Sequence, residues 1–115
     1  MPSDPLKPDS CARMLAALAA PERLRIVREL QSGERSVSQL TEVLAVPMVN
    51  VSHHLRVLRH AGIVSGRKQG RFVHYALRQS MIGTPVGKDG RQMLDLGCCQ
   101  LHLPKGRTAA AAKAT

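Results

Sequence analysis

Aromatic side chains are nearly missing from this sequence: there is no Trp, and Phe72 and Tyr75 are the only others among 115 residues. Modules that hold single-stranded nucleic acid stack bases on aromatic platforms, so this scarcity argues against them. Acidic residues are also few, 8 against 17 Lys and Arg, leaving a net charge of +9. That balance points to a polyanionic partner, nucleic acid before an anionic membrane surface. No apolar run approaches the ~18 residues of a membrane-spanning helix. Residues 1–8 carry Pro2, Pro5 and Pro8 instead of an apolar signal core, so a cytoplasmic location is expected. Cysteine is sparse and odd in number, three in all, with Cys98 and Cys99 adjacent. No disulfide framework is expected from that pattern, and a reducing compartment fits it. A Gly-rich phosphate loop, a His-Glu-x-x-His pattern and a nucleophile elbow are all missing, so no enzyme is expected.

What is present is ordinary globular material, 43% hydrophobic and 22% charged, in a chain long enough to build one core. Ser10 is placed to cap a first helix running through Met14, Leu15 and Leu18. Pro21 suits a first helical position, and Leu24, Val27 and Leu30 recur along a second helix that Gly33 ends. Ser36 and Gln39 form a capping box for a third helix, 36–44, which carries Val37, Leu40 and Leu44. Ala45, Val46 and Pro47 make the break, and a fourth helix runs from Met48 to His60 before Gly62. The period then changes. Residues 63–65 and 72–77 are β-prone and are joined by 66–70, which reads as a hairpin with a basic tip.

Two helices with a tight break followed by a hairpin make a winged helix-turn-helix. The expected fold is mainly α with a small β hairpin, and with an irregular C-terminal strand-like segment where a helix would be usual. Residues 1–9 and 107–115 read as disordered tails, 10–79 as a DNA-binding domain, and 80–106 as a C-terminal segment offering a dimer contact. Helix 36–44 would lie across the groove and helix 48–60 would read it. Charge supports this: no acid falls between Glu42 and Asp89, while Arg56, Arg59, Arg67, Lys68, Arg71 and Arg78 all do. A face that only needed hydration would normally mix signs.

On the reader helix, Val51, Leu55 and Leu58 share a core stripe, with His54 at its margin as an inner, satisfied histidine. The opposite side presents Val49, His53, Arg56, Val57 and His60, flanked by Asn50 and Ser52. Asn reads adenine, Arg reads guanine and Val methyls touch thymine methyls in a major groove. His53 and His54 point apart and His60 is nearly two turns away, so these histidines do not make a metal site.

Four stretches together resemble the ArsR (ArsR/SmtB) family of transcriptional repressors: 20–27 (APERLRIV), 51–58 (VSHHLRVL), 61–64 (AGIV) and 70–75 (GRFVHY). The resemblance covers about residues 12–78. It implies a homodimer that binds an inverted-repeat operator in double-stranded DNA and leaves it when an inducer binds. It also implies a DNA-reading set at Met48, Val49, Asn50, Ser52, His53 and Arg56, with Lys68 and Arg71 on the wing. Arg59 joins them as a phosphate contact. The Cys-x-Cys pair of the family's arsenical sensors is replaced by Ser36 and Ser38, which are not soft ligands. The remaining thiols, Cys98, Cys99 and Cys11, offer a sensor for a soft metal, a metalloid or an oxidant, with His102 nearby in sequence, if a dimer brings them together. The alternative is that Cys98 or Cys99 turns inward as a small core residue and signals nothing. A second alternative, at the level of the whole protein, is a winged helix used as a protein-interaction module without sequence-specific DNA binding.

Overall fold

The computed structural model describes residues 8–86 and 91–103. The expected tail 107–115 and most of the tail 1–9 lie outside the described residues. Helix α1 spans Pro8–Leu18, so it starts two residues before the expected Ser10 cap. Pro8 takes the first helical position, where a missing N–H is no loss. Helix α2 spans Pro21–Leu30 and buries Ile26, Val27 and Leu30, while Leu24 is exposed. A strict spacing of three drifts about 60° per step on a 3.6-residue helix. That drift carries Leu24 outward and brings Ile26 in.

Strand β1, Arg35–Ser36, leads directly into helix α3, Val37–Leu44. Ser36 closes the expected capping box: Gln39 N–H donates to Ser36 Oγ at 3.1 Å, and Ser36 N–H donates to Gln39 Oε1 at 2.8 Å. Ala45 ends α3 in the left-handed region, at φ 56°. Helix α4, Met48–His60, follows Pro47. Its end is a Schellman motif, with Ile63 N–H on Leu58 O and Gly62 N–H on Arg59 O, both 3.0 Å, and Gly62 at φ +82°.

Strands β2, Val64–Gln69, and β3, Phe72–Leu77, pair antiparallel, and β1 adds to the far side of β3 in the order β1-β3-β2. The connection is therefore Gly70-Arg71, not the five-residue loop expected at 66–70, and Arg67 and Lys68 are strand residues. Gly70 at φ +64° makes the short turn possible. Gly66 is needed within β2 because a Cβ there would stand 2.9 Å from the Tyr75 ring.

After a single 3-10 turn, Gln79–Met81, the chain forms a second sheet from β4 (Ile82–Val86), β5 (Arg91–Asp95) and β6 (Gln100–Leu101), in that order across the sheet. The expected strand-like segment is thus folded back on itself. Its hinge is Gly97-Cys98, with Gly97 at φ +87° and Leu96 N–H on Cys99 O at 2.9 Å. Leu94 and Leu96 enter the same core as Leu18, Ile26, Leu40, Leu55, Leu58 and Ile63. Among the described residues no helix is long and apolar enough to cross a membrane.

Candidate nucleic-acid interface and thiol cluster

Helix α4 divides as its periodicity requires. Val51, Leu55 and Leu58 are fully buried, while Asn50, His53, Arg56, Arg59 and His60 are exposed. Val57 departs from expectation: it is half-buried and packs against the core. At 100° per residue it lies between Leu58 and His53, at the margin of the buried stripe. Ser52 is half-buried at the flank. Met48 at 49% and Val49 at 73% exposure stand at the helix start. Lys68 and Arg71 are exposed on the hairpin, beside Phe72, which is also exposed.

Arg67, one of the cations in the acid-free stretch, is engaged within the chain. Its Nη2 donates to Glu34 Oε1 at 2.8 Å, and the same oxygen lies 3.6 Å from His74 Nδ1. Glu34 precedes β1 and reaches Arg67 on β2 and His74 on the central strand β3, a cross-strand pair in the middle of the hairpin. No sequence signal pointed to Glu34; its role depends on the β1–β3 pairing. Arg25 is likewise engaged, donating to Val43 O at 3.1 Å and tying α2 to α3.

His54 is the inner, satisfied histidine expected. Arg23 Nη1 donates to its Nδ1 at 3.2 Å, and Arg23 Nε donates to Ala17 O, so one guanidinium joins α1, α2 and α4. Burial, and then the neighbouring Arg23 charge, hold His54 below the usual imidazole range. The neutral ring is the form that accepts this hydrogen bond.

The three cysteines converge, but not as expected. Cys11 of α1 and Cys98 of the β5–β6 turn are joined in a disulfide across 87 residues, with their Cα atoms 5.9 Å apart. Cys99 Sγ lies 3.7 Å from Cys98 Sγ, and all three sulfurs lie within 4.8 Å of one another. Two expectations are corrected. A disulfide is present although the odd count argued against a framework, and the convergence occurs within one protomer and needs no dimer. The reason is packing: Cys11 is on the buried face of α1, and the turn that carries Cys98 and Cys99 is pressed onto the same core by Leu94 and Leu96. Both cysteines of the pair are half-buried against that core, so the core-residue reading also holds in part. His102 is exposed and does not belong to the group.

A family profile described as a helix-turn-helix domain matches residues 18–67. The HTH-type transcriptional repressor SmtB of Mycobacterium tuberculosis is 45% identical over 60% of this chain and 51% of its own length, so the chain spans about half of that relative. A probable mercury resistance operon repressor from Streptomyces lividans is 32% identical over 80% of this chain and 77% of its own. Among solved structures, the homodimeric winged helix-turn-helix DNA-binding domain of Mb0332 from Mycobacterium bovis, a possible ArsR-family transcriptional regulator, superposes with a TM-score of 0.58. It is 32% identical and covers 60% of this chain and 64% of that one. The helical order, the three-stranded wing and these likenesses agree with the residues that first suggested it: the chain belongs to the ArsR/SmtB family of winged helix-turn-helix transcriptional regulators.

Proposed function

We propose that this protein is a sequence-specific, double-stranded DNA-binding repressor that acts as a homodimer in the cytoplasm. The observation that carries the reading is the exposed face shared by α4 and the β2–β3 hairpin. It presents Asn50, His53, Arg56, Arg59, Lys68 and Arg71, in a stretch without any acid between Glu42 and Asp89. Asn50 and Arg56 discriminate bases, Met48 and Val49 meet thymine methyls, Ser52 and His53 support them from the flanks, and Arg59, Lys68 and Arg71 hold phosphates. Residues 10–79 form the DNA-binding unit, and 80–106 contribute to the dimer. Two reader helices then occupy half-sites about one helical turn, ~34–36 Å, apart.

Selection of bound duplexes from a random double-stranded pool, with reduced protein at near-physiological salt, tests this. An enriched inverted repeat is the expected result. Salt-sensitive binding without enrichment would overturn it and favour a protein partner for the exposed Met48 and Val49. On the selected operator, Arg56→Ala should relax specificity, and Lys68→Ala should weaken all duplexes alike and lower the salt slope by about 0.9.

The signal that releases DNA is read by the thiols Cys11, Cys98 and Cys99. Soft thiolates suit thiophilic ions, and one relative is named for mercury resistance. A Cys98→Ser/Cys99→Ser variant should bind the operator normally yet ignore arsenite, zinc and peroxide. Unchanged release by any of these would remove the thiols from the mechanism.

A further inference from the structure

We infer that Cys11, Cys98 and Cys99 of a single protomer form a two-state site: reduced, a three-thiolate cup for a thiophilic ion satisfied by three sulfurs; oxidised, closed to that ion by the Cys11–Cys98 disulfide. The inference rests on the thiol-sensing reading above and adds which ions enter and what shuts them out.

Geometry supplies the cup. Metal–sulfur bonds of about 2.3 Å place the sulfurs of a three-coordinate centre up to about 4 Å apart. Cys98 and Cys99 already stand 3.7 Å apart, and the third sulfur is within 4.8 Å of both. Opening the disulfide frees Cys11 Sγ to leave bonding distance, and Cα atoms 5.9 Å apart leave room for that spacing. The site is preorganised by elements that do not depend on the ion. Cys11 is fixed on α1, and the pair is fixed by the Gly97-Cys98 turn, whose Gly97 N–H is held by Asp95 Oδ1 at 2.8 Å.

Donor chemistry supplies the selectivity. Among the described residues no histidine or carboxylate completes the group. Zinc takes four ligands in a closed tetrahedral site, so three sulfurs leave it one short. A trivalent metalloid with a lone pair needs no fourth ligand. Its hydroxide exchanges with three thiols, forming three arsenic–sulfur bonds and releasing three waters, with no change in oxidation state.

Oxidation competes for the same sulfurs. Hydrogen peroxide takes two electrons and two protons from Cys11 and Cys98, giving the disulfide and two waters. Cys99 is then a single thiol, which cannot hold the ion by itself. A dithiol reductant reverses the step by exchange. In the ion-bound state and in the oxidised state α1 is joined to the β5–β6 turn, and only in the reduced, empty state is that tie released.

The test is arsenite titration of the full chain, read by sulfur-to-arsenic absorption in the near ultraviolet and by native mass spectrometry. Reduced protein should take one arsenic per protomer, and peroxide-oxidised protein none. Bound arsenite should also protect Cys11 and Cys98 from peroxide, read by alkylation. Cys99→Ser keeps the disulfide and the fold but should lose arsenite affinity by no less than the roughly 10–100-fold that even outer-shell partners are worth. Zinc in equal amount should not displace arsenic. Equal uptake by oxidised protein, unaltered affinity in Cys99→Ser, or no uptake by reduced protein would each overturn the inference. Operator release is scored separately. Arsenite held by three sulfurs on a protein that stays on DNA would sink the sensing reading and leave this site standing.

Discussion

Two three-stranded antiparallel sheets pack on one helical core and use their side chains in opposite ways. The β1-β3-β2 sheet anchors itself through Val64, Tyr75 and Leu77 and extends into solvent, where β2 is exposed from Ser65 onward. Its exposed residues include Arg67, Lys68 and Arg71 beside Phe72, and Glu34 engages the hairpin at the Arg67–His74 pair. The β4-β5-β6 sheet sends Leu94 and Leu96 into the core and carries its sulfurs inward, against α1. Exposure makes the first sheet a probe of the surroundings. Tethering makes the second a brace whose attachment depends on chemistry at one turn.

The largest effect that would break this contrast is in the core. Leu94→Ala empties a fully buried site and should cost about 2–5 kcal/mol in urea unfolding, whereas Val73→Ala on the half-exposed hairpin should change stability by less than about 0.5 kcal/mol. Similar losses from both would mean that the hairpin is as much part of the core as the second sheet.

Next comes DNA binding. Lys68→Ala with Arg71→Ala should lower the salt slope of operator affinity by about 1.8, because each phosphate contact contributes about 0.9. Arg67→Ala should lower it by less, since its guanidinium is engaged by Glu34 at 2.8 Å. Gln92→Ala, on the second sheet, should leave the slope unaltered. A slope that responds to Gln92 and not to Lys68 would reverse the roles of the two sheets.

Two smaller effects sharpen the comparison from the helical side. Ala45→Gly relieves an alanine held at φ 56° just before α4, and should raise the unfolding free energy by up to about 1 kcal/mol without altering the salt slope. His54→Gln tests the inner anchor of that helix. Since the fold holds His54 below its free value of 6.5, the unfolded chain takes up the proton more readily. Stability is therefore fully present above pH 6.5 and falls as the pH descends through the depressed folded value. Thermal unfolding at pH 7.5 and 5.5 should show that loss in the native chain and a smaller one in the glutamine variant.

Much of the helical half was legible because its signals are local. The Ser36–Gln39 box, Pro21, Gly62 and the Val51, Leu55, Leu58 stripe act over one or two turns, and each holds as read. The misreadings have physical causes. Spacing of three misled at Leu24, which sits on the outer face of α2. Periodicity sets Val57 on the open face, but it does not show how far the core reaches around a helix edge, and Val57 packs against that core. The hairpin loop was drawn too long because Arg67 and Lys68 look like loop residues, while their pairing with His74 and Val73 makes them strand.

The sequence alone was enough for the helix-turn-helix, the bounds of its second helix, the basic face and the strand-like character of the C-terminal segment, all of which follow from periodicity, capping and charge within short windows. Only the tertiary structure decided three things: that β1 joins the wing, that Glu34 engages Arg67, and that Cys11 meets Cys98 and Cys99 in one protomer. Those contacts include residues 33 and 87 positions apart. They follow from how the core stacks α1 and two sheets on the same apolar surface, which no local pattern in the chain encodes.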